Sequence, residues 1–205
     1  MKVAVVGGTG SFGKAVAKRL VDAGIEVVIG SRDAERARAA AAEVGAAGAN
    51  NDDAVRGVDL VVFAVKADAA VATARDLRQS IGSTPVLSVC AELDFGPGGV
   101  KPTGEATSIA KRIEDELDAP VVAGLHSLAA ANLADAPPDE DALVCGDDEA
   151  AKALALELAG RLVSGKAVDC GPLASSRALE GMTAVIVNVN KRYKAHAGLR
   201  ISGLP

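Results

Sequence analysis

Glycines at positions 8, 10 and 13 of V-V-G-G-T-G-S-F-G-K (residues 5 to 14) have the spacing G-x-G-x-x-G. That spacing suits pyrophosphate binding. It gives a tight turn, a backbone bare enough for phosphate to approach, and a helix start whose free N–H groups and positive dipole end face the anion. Gly8, Thr9, Gly10, Ser11, Phe12 and Gly13 are therefore candidate dinucleotide contacts. The motif is weak alone, so its context decides. An apolar run over 2–6 precedes it, helical spacing through Ala15, Val16, Leu20 and Val21 follows, and a second strand-like run returns at 26–29.

The end of that second run chooses between nucleotides. A carboxylate there accepts hydrogen bonds from ribose hydroxyls and repels a 2′-phosphate. This chain has Gly30-Ser31-Arg32 instead, with Arg36 one helical turn on. A hydroxyl and a guanidinium are phosphate ligands, so NADP is the expected cofactor, with Thr9, Ser31, Arg32 and Arg36 around the phosphate. The rival reading makes Arg32 and Arg36 a solvated helix face paired with Glu35.

The elements that must position these residues alternate along the chain. After the glycine turn and the helix 11–23 come a strand at 26–29 and an Ala- and Arg-rich helix at 33–44. D-L-V-V-F-A-V at 59–65 is apolar on both faces, as a central parallel strand is. A helix over 69–81 and a strand over 85–89 follow. Residues 91–104 are too rich in Gly and Pro for a helix or a central strand and read as a loop or lid on the substrate side. A helix at 108–117, strands at 120–125 and 142–146, and a helix at 149–162 capped by Asp147 or Asp148 come next. A strand at 166–171 and a helix at 174–193 complete the chain, and M-T-A-V-I-V-N-V in that helix reads as buried on most sides. The pattern predicts an α/β fold: a Rossmann-type doubly wound parallel sheet with a small, mainly helical C-terminal domain. We expect residues 1–165 to be the NADP-binding domain and 166–205 to complete an acceptor cleft and a dimer contact.

Ligands of such sheets lie beyond the carboxyl ends of the strands. Ala64, Val65 and Lys66 occupy that place after one strand, Ser88 and Val89 after the next, and His126 and Ser127 after a third. His126 could donate to a ring carbonyl or relay a proton, and it could equally be a structural histidine satisfied by a loop carbonyl. Lys66 could meet an anion or simply reach solvent.

Bulk composition narrows the classes. Of 205 residues, 49% are hydrophobic and 24% charged, which fits one globular unit. Three Phe, one Tyr and no Trp leave few stacking platforms, and the net charge of -5 disfavours a phosphate backbone, so no nucleic-acid partner is expected. Apolar runs long enough for a membrane span are absent, the first strand begins at Met1 or Lys2 with no room for a signal peptide, and a cytoplasmic protein is expected. Cys90, Cys145 and Cys170 form no C-x-x-C pair, so neither metal nor disulfide is expected and the thiols read as buried and inert. Positive charge gathers late, at Arg177, Lys191, Arg192, Lys194 and Arg200. It could meet an acidic tail of a co-substrate, or satisfy a helix end and a dimer contact. His196, followed by Gly198 and Gly203, reads as structural.

Several segments together resemble the NADPH-dependent coenzyme F420 reductases, also called F420:NADP oxidoreductases. They are G-G-T-G-S-F-G-K at 7–14, G-S-R at 30–32, A-T-A-R-D-L at 72–77 and L-H-S-L-A-A-A at 125–131. V-C-G-D-D at 144–148, D-C-G-P-L-A-S-S-R at 169–177 and Y-K-A-H-A-G-L-R at 193–200 extend the likeness over almost the whole length. The resemblance implies direct hydride transfer between NADPH and C5 of the 5-deazaflavin coenzyme F420, its ring lying over the nicotinamide in a cleft between a dinucleotide domain and a small C-terminal domain. It implies that Thr9, Ser31 and Arg32 grip the 2′-phosphate with Arg36 as a basic partner, that Ser88, Val89, His126 and Ser127 lie on the acceptor side, and that the protein is a homodimer acting on small-molecule co-substrates. Lys66-Ala67-Asp68 stands where the family often has a Pro and a bulky aromatic. Two other readings therefore stay open: an NADPH-dependent reductase of another small acceptor, an imine or ketone, and a non-catalytic NADPH-binding redox sensor.

Overall fold

Alternate residues along the first strand serve opposite faces of one sheet: Val3 and Val5 join one core cluster, Ala4 and Val6 the other. The central strand repeats this, with Leu60 and Val62 on one side and Val61 and Phe63 on the other. Strands apolar on both faces need helices on both, which is the doubly wound solution.

The computed structural model describes residues 1–204. The chain runs β1 (Lys2–Val6), α1 (Ser11–Asp22), β2 (Glu26–Ser31), α2 (Ala34–Val44), β3 (Ala47–Asn50), α3 (Asn51–Ala54), β4 (Leu60–Phe63), α4 (Ala67–Ile81) and β5 (Val86–Ser88). It continues through β6 (Leu93–Gly96), β7 (Gly99–Pro102), α5 (Ile109–Glu114), β8 (Val121–Gly124), α6 (Ala130–Leu133) and β9 (Ala142–Gly146). It ends with α7 (Glu149–Leu162), β10 (Ala167–Asp169), a 3-10 turn at Leu173–Ser175, and α8 (Ser176–Tyr193).

The large sheet has the order β10-β9-β8-β5-β4-β1-β2-β3. Its pairs are parallel except β8 with β9, so β9 and β10 run against the rest. After β3 the chain crosses to the other side of β1, which makes the β1–β4 gap the topological switch point. Helices α1, α2 and α7 cover one face, and α4, α5 and part of α8 the other.

Four expectations need revision. First, β3 and the short α3 went unpredicted, since A-G-A-N carries neither β-branched nor aromatic residues. Second, the expected loop at 91–104 holds an antiparallel hairpin of β6 and β7, turning through Pro97 and Gly98. Third, the apolar stretch of α8 is not buried on most sides: within it only Ala184 is buried, and Val185 is 58% exposed. Fourth, Cys170 is only partly buried, unlike Cys90 and Cys145. The sheet also continues past residue 165 into β10. Asp148, rather than Asp147, caps α7 by accepting from Ala151 N at 2.8 Å.

The C-terminal tail is tied down by Asp141, 1% exposed at the start of β9. Its carboxylate accepts from Lys166 N at 2.8 Å and Ile201 N at 2.7 Å, and its own N–H donates to Leu199 O at 2.7 Å. Arg200 pairs with Asp139, and Asn190 Oδ1 accepts from Ala197 N at 2.5 Å. The His196 ring is exposed, while its carbonyl accepts from Asn132 Nδ2 at 3.0 Å. These amide bonds hold the Asp141 carboxyl below the usual carboxylate range. Asp141→Ala is expected to free residues 197–204 and to destabilise the fold, because two part-buried amides lose their acceptor. Limited proteolysis checks this: new cleavage confined to the tail is the expected outcome, and an unchanged digest contradicts it.

Candidate functional site

The site begins where β1 and β4 end side by side. Gly7 follows β1 with φ +83°, and a Cβ built there would lie 2.5 Å from Ala64 O, just past β4. Gly7 thus makes the tight turn that spacing alone assigned to Gly8. At Gly13 a Cβ would meet Gly7 O at 2.7 Å, so only glycine lets α1 press onto the turn. Gly10 is the N-cap of α1 and supplies no side-chain acceptor, so the first N–H groups of that helix stay available to an anion.

A cavity of about 550 Å3 opens in front of this turn, bordered by Gly7, Thr9, Gly10, Arg32, Arg36 and Asn51 among others. Arg32 and Arg36 are exposed, and neither has an ion-pair partner among the described residues, so the rival pairing with Glu35 does not form. Asp33, adjacent to Arg32 in the chain, is already used: its Oδ1 caps α2 by accepting from Glu35 N at 2.9 Å and Arg36 N at 3.2 Å. Two free guanidiniums and no free carboxylate at the end of β2 make a seat for a phosphate rather than a diol. Asn51, 9% exposed, adds a buried Oδ1 with no partner among the described residues. Its signal was the run Asn50-Asn51-Asp52-Asp53, a helix start directly after a strand.

A second cavity, of about 600 Å3, adjoins the first. The two share Ala64, Val65, Lys66 and Asp68 as a common wall. Phe12 and Val89 border the second cavity, joined by residues that the sequence reading missed: Glu92, Leu93 and Phe95 of the hairpin region and Thr183 of α8. Phe12 therefore faces the acceptor side, although its motif suggested the nucleotide side. Of the other candidates, Gly8 and Gly13 are buried beneath the turn, Ser11 is exposed, and Ser31 Oγ accepts from Asp33 N at 3.3 Å; none of the four lines either cavity.

Behind the second cavity lies a buried polar group. The chain leaves β8 through Leu125 in the left-handed region, φ 65°, a strained conformation for a leucine. That turn sends His126 inward. Its Nε2 donates to Cys90 O at 3.0 Å, its Nδ1 has no partner among the described residues, and it is 5% exposed. Ser127 Oγ donates to Asp141 O at 3.1 Å, and Ser88 is wholly buried. The structure places His126, Ser127 and Ser88 under the cavity wall, not in it, and His126 meets a loop carbonyl, as the structural alternative has it. Burial pushes His126 down to about 4 and the Cys90 thiol up to about 12, so the imidazole is neutral and the thiol inert near neutrality. The late basic residues are divided: Arg177 bonds Glu180 and Thr103 O, and Arg200 bonds Asp139, so neither is a free anion site.

Glycine turn, switch point, free arginines and a second cavity sharing a wall define the class as a Rossmann-type, nucleotide-dependent oxidoreductase. Residues 2–92 match the model of the family described as NADP oxidoreductase, coenzyme F420-dependent. The chain belongs to that family: it is 34% identical to an F420-dependent NADP reductase of Methanothermobacter thermautotrophicus, over 100% of this chain and 96% of that one. A namesake from Methanocaldococcus jannaschii is 32% identical over 100% of this chain and 99% of its own length. A 1.70 Å crystal structure from Arthrobacter sp. FB24, provisionally described as an F420-dependent NADP reductase, superposes with a TM-score of 0.86 at 26% identity, covering 98% of this chain and 99% of that one.

Since the His126 proton is lost on folding, stability is complete above pH 6.5 and declines as pH falls from 6.5 toward 4. Between pH 7.5 and pH 5 this group should remove about 2 kcal/mol. Urea unfolding of wild type and His126→Gln at the two pH values checks it. The wild type should lose more stability on acidification than the variant; equal losses would show that the imidazole is not the group responsible.

Proposed function

We infer that this protein transfers a hydride between NADPH and the 5-deazaflavin coenzyme F420. The observation that carries the reading is the wall shared by two cavities, one suited to a 2′-phosphorylated dinucleotide and one mostly apolar. With family membership over the whole chain, it favours coenzyme F420 over an imine or ketone, and turnover over passive sensing.

The bound nucleotide supplies the hydride, and the protein's own residues orient it. Gly10 and the first amides of α1 hold the pyrophosphate, and Thr9, Arg32 and Arg36 read the 2′-phosphate. Ala64, Val65 and Lys66 turn the nicotinamide toward the second cavity. Val89 and Phe12 border the acceptor there, while His126, with Ser88 and Ser127 around it, holds the Cys90 carbonyl and so the shape of the wall. Stacking two rings at about 3 to 3.5 Å needs no nucleophile, which agrees with an inert thiol and a neutral histidine.

We also propose a cytoplasmic homodimer in which residues 166–205 complete the acceptor cleft and form the contact. Val185 and Tyr193 on the outward side of α8, 58% and 75% exposed, support that assembly, and three free thiols suit a reducing compartment. No helix among the described residues is long and apolar enough to cross a membrane.

The test of the reaction is the absorbance of oxidised coenzyme F420 mixed with NADPH and protein: the deazaflavin band should bleach at a catalytic rate. NADPH binding with an unchanged band would favour another acceptor or a sensor. The phosphate reading is tested by Arg32→Ala, which should weaken NADPH by about 1.5 to 3 kcal/mol and leave NADH nearly unaffected. Equal losses for both nucleotides would show that Arg32 does not read the phosphate.

A further inference from the structure

The hairpin of β6 and β7 carries an aromatic side chain that the fold does not use. Of the three phenylalanines, Phe63 is wholly buried in the core and Phe12 is half-buried, but Phe95 is 69% exposed. A large apolar ring left in water without packing is informative when it borders a cavity, and Phe95 borders the 600 Å3 acceptor cavity, as Phe12 does from α1.

The hairpin is also held in place with more bonds than a surface loop needs. Two strands alone are marginally stable in water. Here Asn188 of α8 serves as a substitute third strand: its Oδ1 accepts from Val100 N at 2.8 Å and its Nδ2 donates to Val100 O at 2.6 Å. Gly99 has φ +108°, and a Cβ there would come within 2.8 Å of Asn188 Oδ1, so the amide is seated against bare backbone. At the hairpin's base Glu92 accepts from Thr103 Oγ1 at 3.0 Å and from Arg112 at 2.9 Å, and Arg177 donates to Thr103 O at 2.6 Å. The Lys191 ammonium lies 5.4 Å from the centroid of Phe95 and steadies the ring by a cation–π contact.

We propose that Phe95 is a specificity-determining residue for the hydride acceptor, presenting its ring to a planar fused-ring co-substrate in the second cavity, with Asn188 holding the hairpin that aims it. The inference rests on the coenzyme F420 reading above. An extended π-face gains from offset stacking on Phe95, and a small imine or ketone has too little surface to do so.

The experiment measures binding and turnover side by side in wild type, Phe95→Ala and Phe95→Tyr. Equilibrium dialysis gives the Kd of oxidised coenzyme F420, isothermal titration calorimetry gives the Kd of NADPH, and steady-state assays give kcat and KM for each. Loss of the stack should raise Kd and KM for coenzyme F420 about tenfold in Phe95→Ala, with Kd for NADPH unchanged, and Phe95→Tyr should stay within about twofold of wild type. Because Phe95 is exposed, urea unfolding should be the same for all three. Wild-type turnover with an unaltered Kd for coenzyme F420 in Phe95→Ala would overturn the role of Phe95 alone. Wild-type protein that neither binds nor reduces coenzyme F420 would overturn the acceptor reading, and this inference with it.

Discussion

The approach of two backbones at the switch point fixes everything else in the site. Gly7 and Ala64 stand so close that no side chain fits between them, and Gly13 brings α1 onto the same turn. That contact sets where the first amides of α1 point, and so where a pyrophosphate sits. It also makes Ala64 and the two residues after it the wall between the cavities. A methyl group at position 7 would separate β1 from β4 at the place where the two ligands must meet.

Electrostatics then assigns each side of that wall its ligand. At the end of β2 the cations are kept free and the adjacent carboxylate is engaged: Arg32 and Arg36 have no ion-pair partners among the described residues, while Asp33 caps α2. On the other side two buried polar groups are held neutral. His126 donates to Cys90 O, the thiol lies against the Phe63 and Val65 carbonyls at 3.2 Å each, and burial keeps both neutral. The acceptor cavity has a mostly apolar lining and an inert thiol, with Lys66, Asp68 and Glu92 as its charged border, and a hydride transfer there needs positioning rather than a nucleophile.

The sequence made the nucleotide half of this arrangement legible, because its determinants are local. Three glycines, the pair Ser31-Arg32 and the strand before them lie within about thirty residues, and each has a meaning set by backbone geometry or charge alone. The acceptor half depends on contacts across long separations. Asn188 finds Val100 from 88 positions away, and no periodicity announces that a Gly- and Pro-rich stretch pairs with itself and hangs from the last helix. His126 was correctly placed after a strand, yet the left-handed Leu125 that turns it inward has no sequence signal, since leucine rarely adopts that conformation. The apolar run in α8 misled for a related reason: helix hydrophobicity does not distinguish a core face from a face left for a ligand or a partner.

Isotope tracing tests the shared wall most directly. NADPH carrying deuterium at nicotinamide C4 would be incubated with oxidised coenzyme F420 and the protein in ordinary water, and the reduced deazaflavin analysed by mass spectrometry. If the two rings meet across Ala64 to Lys66, one diastereomer of the labelled nucleotide delivers its deuterium to the deazaflavin without loss and the other delivers none. Deuterium appearing in water, or equal transfer from both diastereomers, would contradict a cleft that holds the rings face to face.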